Sequence, residues 1–232
     1  MKLFYDLHIH SDLSPCASRE MTPNNIINMS IVKGLNVISL TDHNSTANLP
    51  ALIEASHGSG LKVIPGIEVT SKEEVHLLCY FRELSRALKF GTIIYQSLPP
   101  IINMPEIFGE QNIYNSNDEI VGVLDKLLIN ATPFSIGDIN NMVKESKGIM
   151  IPAHINKMSN SILSILGFIP KDLEVDFVEI YSKNSINKKM FEKYKILKNS
   201  DAHCLTDISE AVNFFDLNDM DSIYNIKEWD TP

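Results

Sequence analysis

Six of the seven histidines in this 232-residue chain lie at or just beyond the end of a predicted strand. Two acidic residues, Glu68 and Asp201, take similar positions. Imidazole and carboxylate side chains are ligands that bind Zn, Mn and Fe. Any one of these histidines alone is more often an ordinary hydrogen-bonded residue. The pattern as a whole predicts a centre of two or three divalent metal ions. The candidate ligands are His8, His10, His43, Glu68, His76, His154, Asp201 and His203.

The spacing of His8 and His10 has a geometric meaning. Side chains two apart on a strand point the same way, so both imidazoles can bind one ion. A carboxylate such as Glu68 can bridge two ions. Two ions about 3.5–4 Å apart can stabilise both oxygens of an in-line phosphoryl displacement. These residues therefore favour hydrolysis of phosphate esters. The seventh histidine, His57, ends a predicted helix and is expected to be solvated.

Short apolar runs separated by helical stretches indicate how these residues come together. The predicted strands cover 3–10, 35–43, 62–70, 75–81, 149–154, 175–181 and 195–203. The alternation predicts an α/β fold with parallel strands: a distorted seven-stranded (β/α) barrel of the TIM-barrel type. An open doubly wound sheet is the alternative. In a barrel, the active site lies at the C-terminal ends of the strands.

The whole chain, 1–232, is expected to form a single domain, because no linker or internal repeat is visible. Residues 82–133 contain a helical stretch and then a segment rich in Pro and Asn. This region is long for a simple connection, and it is a candidate lid or cap over the site.

The composition limits the classes of partner that we expect the protein to bind. The formal net charge of −9 disfavours a broad nucleic-acid surface. It does not exclude a nuclease, because metal ions can supply positive charge locally. Three cysteines make a poor disulfide framework, and the N-terminal stretch lacks the apolar core of a signal peptide. No apolar run reaches about 18 residues, so no membrane partner is expected. A reduced, cytoplasmic protein is predicted, and its oligomeric state is open.

Several segments together resemble the PHP (polymerase and histidinol phosphatase) family of metal-dependent phosphoesterases. The similar segments span 6–203 in the family's order: DLHIHSDLSP, SLTDHN, PGIEVTS followed by EEVHLL, IPAHI, and NSDAH. The resemblance implies a distorted seven-stranded barrel with up to three metal ions. It also implies that a water bridging the ions is the nucleophile.

The resemblance implies three ligand sets. The first comprises His8, His10, Glu68 and Asp201. The second comprises Glu68, His76 and His154, with Glu68 bridging. The third comprises His43 and His203. Asp201 would also be catalytic, by orienting the water and accepting its proton. The family's usual further ligand of the third site is missing from SDLSPCASRE, where the candidate replacements are Asp12, Cys16 and Glu20.

The residues indicate the substrate less clearly than they indicate the metal ligands. Lys157 and Arg19 are candidate phosphate-binding residues, and a solvated surface side chain is the alternative for each. Glu179 is a candidate for supporting the metal ligands by hydrogen bonding. The leading interpretation is a phosphomonoesterase acting on a small phosphorylated molecule or nucleotide. The alternatives are a nuclease or oligonucleotide phosphatase, a metallohydrolase of amide bonds, and a metal-binding regulatory domain without turnover.

Overall fold

The computed structural model describes residues 2–181 and 191–216. Its strands are β1 (Lys2–Ile9), β2 (Val37–Leu40), β3 (Lys62–Thr70), β4 (His76–Tyr80), β5 (Asn112–Tyr114), β6 (Ile120–Val123), β7 (Ile149–Pro152), β8 (Phe177–Tyr181), β9 (Lys195–Asn199) and β10 (Phe214–Asp216). Its α-helices are α1 (Pro23–Val32), α2 (Leu49–Ala55), α3 (Leu84–Ser97), α4 (Pro105–Phe108), α5 (Ile136–Glu145) and α6 (Ile162–Leu166). None of the helices in these described ranges is long and apolar enough to span a bilayer.

Six strands form one curled half-barrel sheet, in the order β10-β1-β2-β3-β4-β7. The parallel pair β8–β9 and the hairpin β5–β6 are separate two-stranded sheets. Backbone hydrogen bonds connect the β8–β9 pair to the main sheet, from Ala202 N to His8 O (3.1 Å) and from Ile155 N to Glu179 O (2.9 Å). The fold is mixed α/β and compatible with a TIM-like barrel. A continuous seven-stranded barrel stays a prediction.

The expectation that all strands run parallel is wrong at β4. This strand pairs antiparallel with β3 and with β7. Only 71–75 join β3 to β4, whereas a parallel connection needs a dozen or more residues. The connection is a tight turn, closed by Ser71 N donating to Val75 O (2.9 Å). As a result, His76 begins its strand at the same edge of the sheet where β3 ends.

Three of the predicted strands end at least two residues earlier than the apolar runs suggest. Strands β2, β7 and β9 end at Leu40, Pro152 and Asn199. The candidate ligands beyond them lie in loops. His154 and Asp201 have φ angles of 28° and 54°, a left-handed conformation that cannot continue a strand.

The main sheet and the β8–β9 pair share a hydrophobic core. One buried cluster contains Leu7 from β1, Leu78 from β4, Phe177 from β8 and Leu197 from β9. A larger cluster joins the sheet to the helices. This packing fixes the strand ends relative to one another.

Residues 82–133 contain more regular structure than the sequence indicates. The predicted helical stretch is α3, and the remainder contains α4 and the β5–β6 hairpin. The role of this region as a lid stays a prediction.

Gly66→Ala tests the packing of β3 on β2. A Cβ at Gly66 would lie 2.4 Å from Ser39 Oγ and 2.8 Å from Thr41 Cγ2. We expect a loss of about 1–3 kcal/mol in the free energy of unfolding, measured by urea denaturation. The control is Gly137→Ala in α5, where the nearest atom is Ser135 Oγ at 3.8 Å. This change should leave stability equal or raise it, because alanine favours helix. Equal stabilities of Gly66→Ala and the wild type would contradict the packing described.

Candidate metal centre

Glu68 is the centre of the site. It is fully buried near the end of β3. Five imidazole nitrogens lie within 3.5 Å of its carboxylate oxygens, at 3.3, 3.5, 2.9, 3.0 and 3.2 Å. They belong to His8, His10, His43, His76 and His154. With Asp201 and His203 close by, the fold brings all eight predicted ligands together.

The first group lies at the end of β1. The Nε2 atoms of His8 and His10 are 3.1 Å apart. Asp201 Oδ1 lies 3.3 Å from the first nitrogen and 3.4 Å from the second. Residues two apart on a strand thus face one carboxylate oxygen from the loop after β9. Their donor atoms are close enough to bind one ion.

The second group is arranged around Glu68 Oε1. His76 Nδ1 lies 3.0 Å from this oxygen and His154 Nε2 lies 3.2 Å from it. His76 reaches it from the start of antiparallel β4, and His154 from the loop after β7. Since His8 contacts the same oxygen, Glu68 stands between the first and second groups, as a bridging ligand must.

The third group consists of His10, His43 and His203. One nitrogen from each ring lies within 4.8 Å of the others. His203 Nδ1 donates to the backbone oxygen of Asp201 (2.9 Å). That contact leaves its Nε2 lone pair for another ligand. His10 therefore stands between the first and third groups, which the sequence analysis did not predict.

Glu179 orients His8. Its carboxylate oxygens lie 3.0 and 3.1 Å from His8 Nδ1. A carboxylate accepts, so Nδ1 donates and Nε2 faces the metal centre with a lone pair. Glu179 also accepts from His154 N (2.7 Å) and Asn199 Nδ2 (2.7 Å). The predicted supporting role matches this network.

Sequence reasoning missed an equivalent support for His10. Ser14 Oγ donates to Asp42 Oδ1 (2.8 Å) and lies 2.9 Å from His10 Nδ1. It also accepts from the backbone N–H of His43 (3.1 Å). The hydroxyl has one proton, so it must accept from His10, whose Nε2 then faces the centre. The signal that the sequence offered for this support is an acidic residue, Asp42, immediately before the candidate ligand His43.

Buried ligand atoms without hydrogen-bond partners test whether this site suits a metal. Among the described residues, His154 Nδ1 is buried and lacks such a partner, and His43 Nδ1 and Glu68 Oε2 lie 2.9 Å apart without hydrogen-bonding geometry. An unsatisfied buried polar atom costs about 1–3 kcal/mol. A divalent cation would give His43 Nδ1 and Glu68 Oε2 a partner, and the nitrogen and oxygen chemistry of the cluster suits Zn, Mn or Fe. The residues present fit a metal centre.

The electrostatics of the two β1 imidazoles differ. Burial lowers the pKa of His8, but nearby carboxylates, Glu179 foremost, raise it well above the usual value. Burial lowers the pKa of His10, and the adjacent His203 ring lowers it further. Without metal, the cluster therefore holds protons on some of its imidazoles and not on others.

The three candidate replacements in SDLSPCASRE are placed differently. Asp12 accepts from Asn112 Nδ2 and from Tyr114 Oη, both at 2.7 Å. Glu20 is exposed. Cys16 is exposed. Partial burial raises the pKa of its thiol, but the imidazoles of His43 and His203 lower it to about 6.

A small cavity opens over the metal centre, with a volume of about 140 Å³. It is lined by His43, Glu68, His76, His154, Lys157, Ser159, Asn160, Asp201 and His203. Lys157 pairs with Asp201 Oδ2, and its Nζ lies 4.5 Å from the centre of the Tyr181 ring. Arg19 is not part of this lining and pairs with Glu110 (3.1 Å).

Residues of the 82–133 region contact the loop after β1 and the start of α1. Among the described residues, none of those lining the cavity comes from it. Asp118 Oδ2 accepts from Thr22 Oγ1 (2.6 Å), and Asn112 contacts Asp12. Gly109, with φ of 102°, leaves room for Pro15 O, which lies 2.0 Å from where a Cβ would be.

The model of the PHP domain matches residues 6–219, which include every residue of this centre. The chain belongs to the PHP domain family. This is the family that the motifs predicted. The identity of the metal and the number of ions in this PHP domain remain proposals.

Known proteins of similar sequence and fold include nucleases. The chain is 33% identical over 76 residues to the 5'-3' exoribonuclease Rnm of Salmonella typhimurium, covering 32% of this chain and 25% of that protein. A proposed metal-dependent phosphoesterase from Bifidobacterium adolescentis has a TM-score of 0.67, 17% identity and 95% coverage of both chains. The lesion-specific endonuclease PfuEndoQ of Pyrococcus furiosus has a TM-score of 0.62 and 23% identity, covering 88% of this chain and 49% of that one.

Glu179→Gln tests the orientation of His8. The amide removes the charge that Nδ1 faces, and its NH₂ group cannot accept hydrogen bonds. We expect metal affinity to fall about 10–100-fold, measured by competition with a chromophoric chelator. The control is Glu174→Gln, whose carboxylate pairs with Lys144 at the surface. Equal metal affinities in the two variants would contradict the supporting role.

Proposed function

We propose that this PHP domain hydrolyses a terminal phosphate ester on a small molecule or nucleotide, using two or three divalent cations. The observation that carries the proposal is the buried Glu68 carboxylate, within 3.5 Å of five imidazoles. In this assignment His8, His10 and Asp201 hold one cation and His76 and His154 hold a second, with Glu68 bridging. His43 and His203 belong to a third site.

The chemistry that bound divalent cations supply here is Lewis acidity, which polarises phosphoryl oxygens and makes water a nucleophile at neutral pH. The chain itself positions the reacting groups. Asp201 directs Oδ1 at the β1 histidines and Oδ2 at Lys157. Burial raises the pKa of Asp201, but the charges and hydrogen bonds of His8 and His10 hold it far below the usual value. Such a carboxylate is a weak base, so we assign Asp201 to orienting the water.

The size of the cavity supports a terminal phosphate as the reacting group. Its volume of about 140 Å³ is below the roughly 300–1,000 Å³ of pockets that enclose a whole ligand. A phosphoryl group enters, and the leaving group stays outside. Lys157 is the lysine of this lining, and it would exchange its contact with Asp201 for a phosphate oxygen.

A nuclease is the second candidate. The matched exoribonuclease, 33% identical over the aligned 76 residues, favours it. This similarity weighs against the expectation from net charge that nucleic acid is disfavoured. The aligned segment spans only a quarter of that relative, so its activity is a proposal for this chain. A single-stranded 5' end could present its terminal phosphate to the same cavity.

A substrate screen separates the two candidates. Metal-depleted protein is reconstituted with Zn, Mn or Fe and tested on phosphomonoesters, phosphodiesters and 5'-phosphorylated oligoribonucleotides. We expect at least two ions per chain by elemental analysis, phosphate release from monoesters, and loss of that release on chelation. Shortening of oligonucleotides with no release from monoesters would favour the nuclease. Less than one ion per chain after reconstitution would contradict the metal centre.

Glu68→Gln should cost far more turnover than Lys157→Ala. Loss of the bridging carboxylate removes cations from the site, with an expected barrier increase of about 4 kcal/mol or more, roughly 1,000-fold in kcat. Loss of Lys157 removes one phosphate contact, so KM should rise about 10-fold with kcat little changed. The control for Lys157→Ala is Lys144→Ala, whose ammonium pairs with Glu174 at the surface. Similar mild losses at positions 68 and 157 would contradict the bridge.

A further inference from the structure

The loop between β7 and α6 supplies the part of the cavity lining that does not consist of candidate metal ligands. Among the described residues, this part comprises Lys157, Ser159 and Asn160. Lys157 is the charged residue of the three, and its ammonium pairs with Asp201 Oδ2. The loop therefore determines which protein groups a phosphate meets in the cavity besides the metal centre.

Hydrogen bonds fix the backbone of this loop on both sides of Lys157. Lys157 N donates to His154 O (2.8 Å), and Ser161 Oγ donates to Lys157 O (2.8 Å). Near the end of the loop, His76 N donates to Asn160 O (2.8 Å). The ammonium itself stands at the end of four methylene groups, and lysine is among the side chains with the most rotamer freedom. A fixed backbone alone therefore does not keep the ammonium at the cavity.

The aromatic ring of Tyr181, the last residue of β8, also contacts this ammonium. Lys157 Nζ lies 4.5 Å from the centre of the ring, inside the range of about 6 Å for a cation–π attraction. Asn156, the neighbour of Lys157, holds the backbone of Tyr181 with two hydrogen bonds. Tyr181 N donates to Asn156 Oδ1 (2.7 Å), and Asn156 Nδ2 donates to Tyr181 O (3.0 Å). These bonds join the loop to the strand end, so the ring stays beside the ammonium.

The two contacts of the ammonium respond differently to bound metal. In the assignment above, Asp201 is a ligand of the first cation, so its charge is then shared between that cation and Lys157. The ammonium is also repelled by the cations, because their charges have the same sign. The attraction of the Tyr181 ring comes from its quadrupole and needs no net charge, so it is not cancelled in this way. With metal bound, the ring is the contact that retains Lys157.

We propose that Tyr181 is a positioning residue for phosphate recognition, whose ring holds the ammonium of Lys157 beside the cavity when metal is bound. The inference rests on the proposed function, which assigns Lys157 to the phosphate. Tyr181 is not part of the cavity lining, so it acts through Lys157 and does not touch the phosphate itself. The contact needs the aromatic face and not the hydroxyl group. Phenylalanine should therefore replace tyrosine at this position, whereas leucine should not.

Binding of inorganic phosphate tests this role. Full-length protein is reconstituted with zinc, freed of excess metal and titrated with phosphate in a calorimeter. We expect Tyr181→Leu to bind phosphate about 3–10-fold more weakly than the wild type, and Tyr181→Phe to match the wild type. With a phosphomonoester, Tyr181→Leu should raise KM by a similar factor and leave kcat little changed. In a Lys157→Ala background, Tyr181→Leu should have no further effect on either quantity.

Tyr95→Leu is the matched control. Lys126 Nζ lies 5.5 Å from the centre of the Tyr95 ring, in a lysine–tyrosine pair outside the cavity lining. This variant should leave phosphate binding and KM unchanged. The inference alone is overturned if Lys157→Ala weakens phosphate binding and Tyr181→Leu does not, or if Tyr181→Phe is as weak as Tyr181→Leu. If Lys157→Ala binds phosphate like the wild type, the proposed role of Lys157 fails and the inference fails with it.

Nuclear magnetic resonance of the wild type tests the contact without any measurement of hydrolysis. In zinc-loaded protein, the ring current of Tyr181 should shift the ε-methylene protons of Lys157 upfield, and the loss of this signal in Lys157→Ala assigns it. The shift should persist in Tyr181→Phe. An unshifted Lys157 signal in the zinc-loaded wild type would overturn the inference, even if the protein hydrolyses phosphate esters. This measurement does not depend on whether Tyr181→Leu folds.

Discussion

Glu68 is fully buried, and imidazoles surround both of its carboxylate oxygens. Taking such an ion out of water costs several kcal/mol unless it is well paired. Burial alone would raise the pKa of Glu68, but the charges of His76, His8 and His43 hold it well below the usual value. The fold therefore depends on keeping positive charge beside this carboxylate. Protons supply it without metal, and cations would replace those protons on binding, so metal affinity and proton release are coupled.

The backbone is strained at two of the residues that converge on Glu68. His154 and Asp201 both take positive φ values, which cost about 1–3 kcal/mol each for residues other than glycine. Neighbouring contacts maintain them: His154 N donates to Glu179 Oε2, and Ser200 N donates to Asp6 Oδ1. Burial raises the pKa of Asp6 even though it accepts several hydrogen bonds. Buried acids behind the ligands thus fix loops that would otherwise relax, and this support keeps the donor atoms converging.

The ligands were predictable because their signals are local. His8 and His10 need only the two-residue period of a strand, and Glu68 needs only a position near a strand end. The periodicity of its apolar run carries no polarity, but the direction of β4 was predictable from the four residues between the predicted strands 62–70 and 75–81, which are too few for a parallel connection. The partners of Asp12 lie about a hundred residues away, beyond any local pattern. Contacts between residues so far apart in the sequence depend on tertiary packing, which a local sequence pattern does not encode.

The two β1 imidazoles show how one motif can serve different ions. A carboxylate, Glu179, stands behind His8 and makes it a stronger electron donor. The neutral hydroxyl of Ser14 lies behind His10, and this hydroxyl donates a hydrogen bond to the carboxylate of Asp42. In the proposed assignment, the protein anions among the ligands only partly neutralise the cations, so the centre stays positive inside a chain of net charge −9. A phosphate then meets a local field opposite in sign to the global one. Net charge is therefore a poor guide to the substrate of such a site, whereas the shape of the surface around the cavity decides which leaving group can approach.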